Sequence, residues 1–260
     1  MSTPVAAAMS DQKLGRLIKL MQESDTVELK LTVPDTDLRS TVVALGMDAL
    51  DAQIRQIFFF DTPDLALDAH GVVVRARRIQ GKGDDAVVKL RPVVPSELPA
   101  DLRAERGFGV EVDALPGGYV CSGRLKADLE RPIVARAVAG KISIRDLFTK
   151  QQRHLFRAHA PEDIRLADLS VLGPIFVLKL RFTPAGLDRR LVAELWLYPD
   201  GSRLLELSTK CAPPEAFQVA AEVRAYLADH GVNLYGEQET KTRKALAYFA
   251  SELQQRQASG

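Results

Sequence analysis

Charged and apolar residues alternate along segment after segment of this chain, and that alternation constrains its fold more than any other feature. Successive side chains of a strand point to opposite faces. Val27, Leu29 and Leu31 therefore share one face, opposite Thr26, Glu28 and Lys30. The same parity sets Val74 and Ala76 against Arg75 and Arg77, and Val88 and Leu90 against Lys89 and Arg91. It sets Val110 and Val112 against Glu111 and Asp113, and Leu178, Leu180 and Phe182 against Lys179 and Arg181. Leu195 and Leu197 oppose Glu194 and Trp196, and Leu205 and Leu207 oppose Glu206, Ser208 and Lys210.

An apolar face must be covered, and amphipathic helices are at hand to cover it. Leu29, Leu90, Leu180 and Leu207 are expected beneath helices. The charged face has two fates: the solvated side of an open antiparallel sheet, or the lumen of a barrel closed by about eight strands. A solvated face mixes Ser, Thr, Gln and Lys, whereas here Arg, Lys and carboxylates nearly monopolise it. Arg and Lys together suit polyphosphate oxygens, arginine through its bidentate fork. Carboxylates among them suit a hard cation such as Mg2+ or Mn2+. The alternative is mutual salt bridging without a ligand, at a heavy desolvation cost.

Composition narrows the function classes. Thirty-five Lys and Arg against 34 Asp and Glu leave a net charge of +1, and only 6% of residues are aromatic. A nucleic-acid-coating protein would carry a larger positive excess and more stacking surface. The two cysteines, Cys121 and Cys211, form no CxxC pair, which fits a reducing, cytoplasmic setting and neither a disulfide framework nor a zinc ribbon. No run approaches the ~20 apolar residues of a membrane span. The sequence lacks HExxH, GxSxG and GxxxxGK[ST], so zinc-protease, serine-hydrolase and P-loop chemistry have no support.

The hydrophobic periods predict helices over 11–23, 35–45 (capped by Asp35), 124–139, 214–229 and 239–254. Strands are expected over 26–31, 57–60, 72–78, 86–91, 108–113, 148–156, 175–182, 190–198 and 202–209. Residues 1–22 read as a tail and a helix, and 23–255 as one domain.

With these residues in place the chain resembles the CYTH superfamily, the triphosphate tunnel metalloenzymes. The opening ExExK motif reads Thr26-Val27-Glu28-Leu29-Lys30, with Thr26 where the first glutamate is expected. The stretch Phe59-Phe60-Asp61-Thr62-Pro63-Asp64, followed by Val74-Arg75-Ala76-Arg77, is similar to the family's aromatic-DT turn and paired-arginine strand. Lys89-Leu90-Arg91, Glu111, Glu194, Glu206 and Lys241 follow in the family's order over about residues 26 to 250.

The resemblance implies an α+β fold: an eight-stranded antiparallel tunnel with a charged lumen and helices outside, binding a triphosphate with Mg2+ or Mn2+. It implies phosphate binding by Lys30, Arg75, Arg77, Lys89, Arg91, Lys179 and Arg181. Glu28, Glu194 and Glu206 would hold metal. Glu28, Glu111 and Glu206, with Lys241 closing one tunnel mouth, would serve catalysis. The implied activity is metal-dependent hydrolysis of inorganic or organic triphosphate, with a non-catalytic polyphosphate or nucleotide binder and a class IV adenylate cyclase as alternatives. The expected partner is a triphosphate-containing small molecule, with no nucleic acid and no membrane; a homodimer stays open.

Overall fold

The computed structural model describes residues 10–234 and 241–258. The expected N-terminal tail, apart from Ser10, and the expected helix start at Glu239 lie outside them. The strands are β1 Thr26–Val33, β2 Gln53–Asp61, β3 Val72–Ile79, β4 Asp84–Leu90, β5 Phe108–Leu115, β6 Gly118–Leu129, β7 Ser170–Phe182, β8 Leu191–Leu197 and β9 Arg203–Cys211. The α-helices are α1 Asp11–Gln22, α2 Leu38–Ala44, α3 Ala66–Ala69, α4 Ala100–Ala104, α5 Ile133–Val138, α6 Lys150–His159, α7 Ala216–Asp229 and α8 Lys241–Ala258. No helix among the described residues is long and apolar enough to cross a membrane.

The strands close into a barrel in the order β1-β5-β6-β4-β3-β2-β7-β8-β9. The expected eight-stranded, wholly antiparallel barrel is thus corrected to nine strands of mixed direction. Strict up-down alternation cannot close around an odd number of strands, so one parallel pair is obligatory. It is β1 with β5, from Thr26↔Glu111 to Leu29↔Ala114.

The added strand is β6. Residues 124–129, expected to begin a helix, continue β6 as Arg124, Lys126 and Asp128 alternate with Leu125, Ala127 and Leu129; helix begins only after Pro132. The expected strand over 148–156 is instead largely α6. Thr149 Oγ1 accepts from the Gln152 amide at 3.2 Å while Gln152 Oε1 accepts from the Thr149 amide at 3.0 Å, the reciprocal cap that starts a helix. Gln152, Leu155 and Phe156 then face the barrel at helical spacing. The buried Gln152 Nε2 donates to Ala86 O and Leu125 O, both at 3.0 Å. Asp35 does not cap the 35–45 segment; it pairs with Arg203 at 3.0 Å.

Apolar side chains leave the barrel on three outer faces. Phe58, Phe60, Val74, Val88 and Leu90 pack against Leu147, Phe148, Leu155 and Phe156 of the β6–β7 connection. Leu180, Leu205 and Leu207 pack beneath Leu227 of α7. Val27, Val112 and Cys121 lie beneath Leu17, Leu20 and Met21 of α1, with Leu29 at the edge of that cluster. The four leucines expected beneath helices are in these layers. At about 25 cal/mol per Å2 of apolar area removed from water, these layers are the main drive for closure.

A fourth cluster points inward. Phe59, Val73, Trp196 and Leu204 share the parity of Arg75, Glu194 and Glu206, and they pack against Ala245, Leu246 and Phe249 of α8. The last helix therefore fills the end of the lumen where β2 finishes and β9 begins, leaving the charged part toward the other end.

Candidate functional site

The turn after β2 sets the position of the paired arginines. Asp61 Oδ1 accepts from the amides of Thr62 at 2.7 Å and Leu67 at 2.9 Å, and its Oδ2 from that of Asp68 at 3.0 Å. Thr62 Oγ1 accepts from the Ala66 amide at 2.9 Å. This side-chain cap fixes α3 and the entry to β3. Gly71, with φ +72°, completes the turn; a Cβ there would lie 2.4 Å from Arg91 O, so only glycine fits. From this turn β3 pairs with β2 in the register Phe59↔Arg75 and Ile57↔Arg77, which turns both arginines into the lumen.

Four consecutive strands of the ring, β8, β9, β1 and β5, carry a wall of carboxylates, each engaged by lysine. Lys30 Nζ lies 2.8 Å from Asp113 and 3.3 Å from Glu28, and Lys89 Nζ 3.3 Å from Asp113. Lys210 pairs with Glu111 and lies 3.8 Å from Glu28. Ser208 Oγ donates to Glu28 at 3.2 Å, and Thr26 Oγ1 lies 3.4 Å from Glu111 Oε2. Glu194 and Glu206, opposite each other in the β8–β9 register, share Lys241 at 2.5 and 2.6 Å, and Lys179 reaches Glu194 at 2.6 Å.

Burial opposes these charges, but the lysines outweigh it on the acidic side. Lys241 and then Lys179 hold the Glu194 carboxyl well below the usual range. Lys30 and Lys89 hold Asp113 below its usual range, and Lys30 and Lys210 lower Glu28. Asp113 and Glu28 in turn raise Lys30, and Glu194 and Glu206 raise Lys241. Burial prevails at Lys89 and Lys179 and lowers both.

The facing arc, β6-β4-β3-β2, carries arginine. Arg77 holds Asp85 through two bonds of 2.8 and 2.6 Å. Arg55, Arg75 and Arg124 pair with no described carboxylate; Arg55 bonds only the neutral Gln53 amide oxygen, at 3.2 and 2.8 Å. Arg75 Nε and Arg124 Nε are buried without a hydrogen-bond partner. Burial first, and then the charge of Arg77, lowers the Arg75 guanidinium to about 9. At neutral pH it stays protonated among like charges.

The structure thus brings Glu28, Lys30, Arg75, Arg77, Lys89, Glu111, Lys179, Glu194, Glu206 and Lys241 to one lumen. Arg181 is exposed near the end of β7, at the open mouth. Arg91 lies one residue past β4, 4.0 Å from Asp68, and lines an outer cleft of about 880 Å3 with His70 and His159. A second cavity of about 230 Å3, between the barrel wall and α7, is lined mostly by apolar side chains such as Leu29, Leu207 and Val223. Neither holds the charged set. Sequence reasoning missed Arg55, Arg124 and Lys126 as lumen residues. The alternation over 122–129 carries the signal for the last two; Arg55 stands between Ile54 and Gln56 with no alternation to mark it.

Glu28, Glu111 and Asp113 each offer a carboxylate oxygen within 4.8 Å of the others. Hard oxygen donors so placed fit Mg2+ or Mn2+, with Lys30 and Lys210 now sharing them. Glu194 and Glu206 stand apart from this trio, joined by Lys241.

No protein-family model matches the sequence, and no curated protein matches it at a significant level. Solved structures do. A putative adenylate cyclase from Bacillus halodurans aligns with TM-score 0.57 over 84% of this chain and 98% of its own, at 12% identity. A putative adenylyl cyclase from Hippeastrum, described as having a dominant triphosphatase activity, aligns with TM-score 0.62 over 86% of this chain and 95% of its own, at 16% identity. The chain shares the barrel fold of these two structures. Within this barrel the acidic trio is consistent with metal binding, and the arginine arc faces it across the lumen.

Proposed function

We propose that the CYTH-type lumen binds an inorganic or organic triphosphate and, with Mg2+ or Mn2+, hydrolyses its terminal phosphoryl group. The observation that supports this reading most is Arg75: a guanidinium deep in the barrel, with no described carboxylate within ion-pair distance and its Nε buried without a hydrogen-bond partner. An anion with several oxygens relieves that charge, and arginine offers it a two-pronged donor.

Phosphoryl transfer needs mainly positioning and charge neutralisation. Arg75 and Arg77 would orient the phosphate chain from one wall, with Lys30, Lys89 and Lys179 reaching it from the others. Glu28, Glu111 and Asp113 would hold the divalent ion, which when bound supplies further neutralisation of phosphate oxygens. Glu111, the carboxylate nearest Thr26, would accept a proton from an attacking water. Lys241 keeps Glu194 and Glu206 in place at the closed end.

Two other readings have specific support. Both similar structures are named as putative adenylate cyclases, which supports cyclisation of ATP with release of pyrophosphate, while the dominant triphosphatase activity described for one of them supports hydrolysis. Lys210, standing between Glu28 and Glu111, favours a binder without turnover. A product assay with tripolyphosphate, ATP and thiamine triphosphate, each with Mg2+, Mn2+ or chelator, separates the three. Phosphate release is expected. Cyclic nucleotide with pyrophosphate would replace hydrolysis by cyclisation, binding without product would leave the binder, and no binding at all would remove the reading.

A further inference from the structure

The parallel β1–β5 pairing stops at Leu29↔Ala114, while β1 runs on to Val33 paired with β9. Where β1 and β5 part, α7 packs over the outside of the barrel, and the small Ala220 leaves space beneath it unfilled. The result is the cavity of about 230 Å3, walled by Leu29, Leu31 and Leu207 of the barrel and Val223 and Leu227 of α7. Lys30, Ser208 and Thr209 also border it, but their polar groups are engaged elsewhere. Lys30 Nζ and Ser208 Oγ turn to lumen carboxylates, at 2.8 Å from Asp113 and 3.2 Å from Glu28. Thr209 Oγ1 donates to Arg190 O at 2.9 Å. The interior is therefore apolar, and apolar cavities stay dry. Unfilled, such a cavity costs stability in proportion to its volume. Arg224, exposed on α7, brings a positive charge to the rim, and no carboxylate among the described residues lines it.

We infer that this cavity binds a medium-chain carboxylate, its alkyl tail among the leucines and its head at Arg224. Size, lining and charge each bear on that choice. An apolar cavity of about 150 Å3 holds benzene, so one of about 230 Å3 has room for a chain of about eight carbons. The tail gains by leaving water. The carboxylate stays at the solvent edge, where the arginine fork receives it beside any other contact that Arg224 makes. The site lies on the outer face of the barrel wall, apart from the charged lumen, so it does not depend on triphosphate binding.

Calorimetric titration of sodium octanoate, 1-octanol and sodium acetate into the full chain tests it. Wild type should bind octanoate saturably at a single site, and should not bind acetate, which has the head without the tail. Octanol, which has the tail without the charge, should bind roughly 3- to 10-fold more weakly, the loss of one partly solvated charged contact. Arg224→Gln should weaken octanoate by the same factor and leave octanol unchanged. Ala220→Leu, which puts a side chain into the cavity, should abolish binding of both. Val223→Phe plugs the same space from the next turn of α7 and serves if Ala220→Leu does not melt cooperatively. Tripolyphosphate should not compete with octanoate. Absence of saturable octanoate binding, equal affinity for octanol, or undiminished octanoate binding in Arg224→Gln would overturn the site. Binding that persists in a folded plugged variant would overturn it too, and competition by tripolyphosphate would place octanoate in the lumen instead.

Discussion

Lys241 Nζ, at the start of α8, lies 2.6 Å from Glu206 Oε1 in the middle of β9. The same ammonium reaches Glu194 across the β8–β9 pair and sits 5.1 Å from the centre of the Trp196 ring. One lysine therefore ties the last helix to two carboxylates that would otherwise repel, while Leu246 and Phe249 bury the helix against the lumen wall.

Lys241→Met should destabilise the protein, because it leaves Glu194 and Glu206 facing each other without their shared cation. Loss of one partner of a buried ion pair costs about 3–5 kcal/mol. Adding Glu206→Gln to that variant should restore part of the loss. Chemical denaturation of the single and double variants measures both, and a Lys241→Met protein as stable as wild type would contradict the role of the pair.

Arg75→Met should act in opposite directions on stability and binding. Without ligand, the variant loses a buried guanidinium among like charges and should melt at a higher temperature. With tripolyphosphate, it should bind more weakly by about 1.5–3 kcal/mol. Thermal melts with and without ligand check the two signs together. A lower melting temperature without ligand, or undiminished binding, would count against an uncompensated anion-binding arginine.

Lys210 and Thr26 control the acidic trio. Removing the ammonium that pairs with Glu111 and lies near Glu28 should raise Mn2+ affinity in Lys210→Met. Thr26→Glu adds a carboxylate beside Glu111 and should do the same. Mn2+ titration followed by electron paramagnetic resonance, without substrate, reads affinity directly. Unchanged affinity in both variants would place the metal elsewhere.

Acid should unfold the protein through Glu194 and Asp113. Their carboxyls ionise below the ordinary 4.5 and 3.8 in the folded chain, so the unfolded chain binds more protons as the pH falls through these values. Stability is then fully present above about pH 5 and declines below it. Glu194→Gln should flatten the decline in stability measured from pH 5 to pH 2.5. An identical slope in wild type and variant would show that Glu194 does not carry the linkage.

The charged lumen was legible because strand parity is local: Arg75 and Arg77, or Glu206 and Ser208, share a face wherever their strand lies. The misread segments have local reasons too. Arg124 to Leu129 alternates as a strand should, but it runs into the apolar Ile133–Val138 helix and looks continuous with it. Phe148, Leu155 and Phe156 have strand-like bulk, and only the Thr149–Gln152 cap marks the helix start.

By itself the sequence determined which side chains share a wall of each strand, that those walls are charged, and that the opposite walls need helices over them. Tertiary structure decided which walls meet. Thr26 and Glu111, 85 residues apart, become neighbours through the parallel β1–β5 pair that an odd number of strands requires. That pair gathers Glu28 with Glu111 and Asp113 and leaves Glu194 and Glu206 to Lys241. The physical reason is range: a side chain's direction follows from the pleat of its own strand, while the partner it meets depends on ring order, which is settled only when distant strands close the barrel.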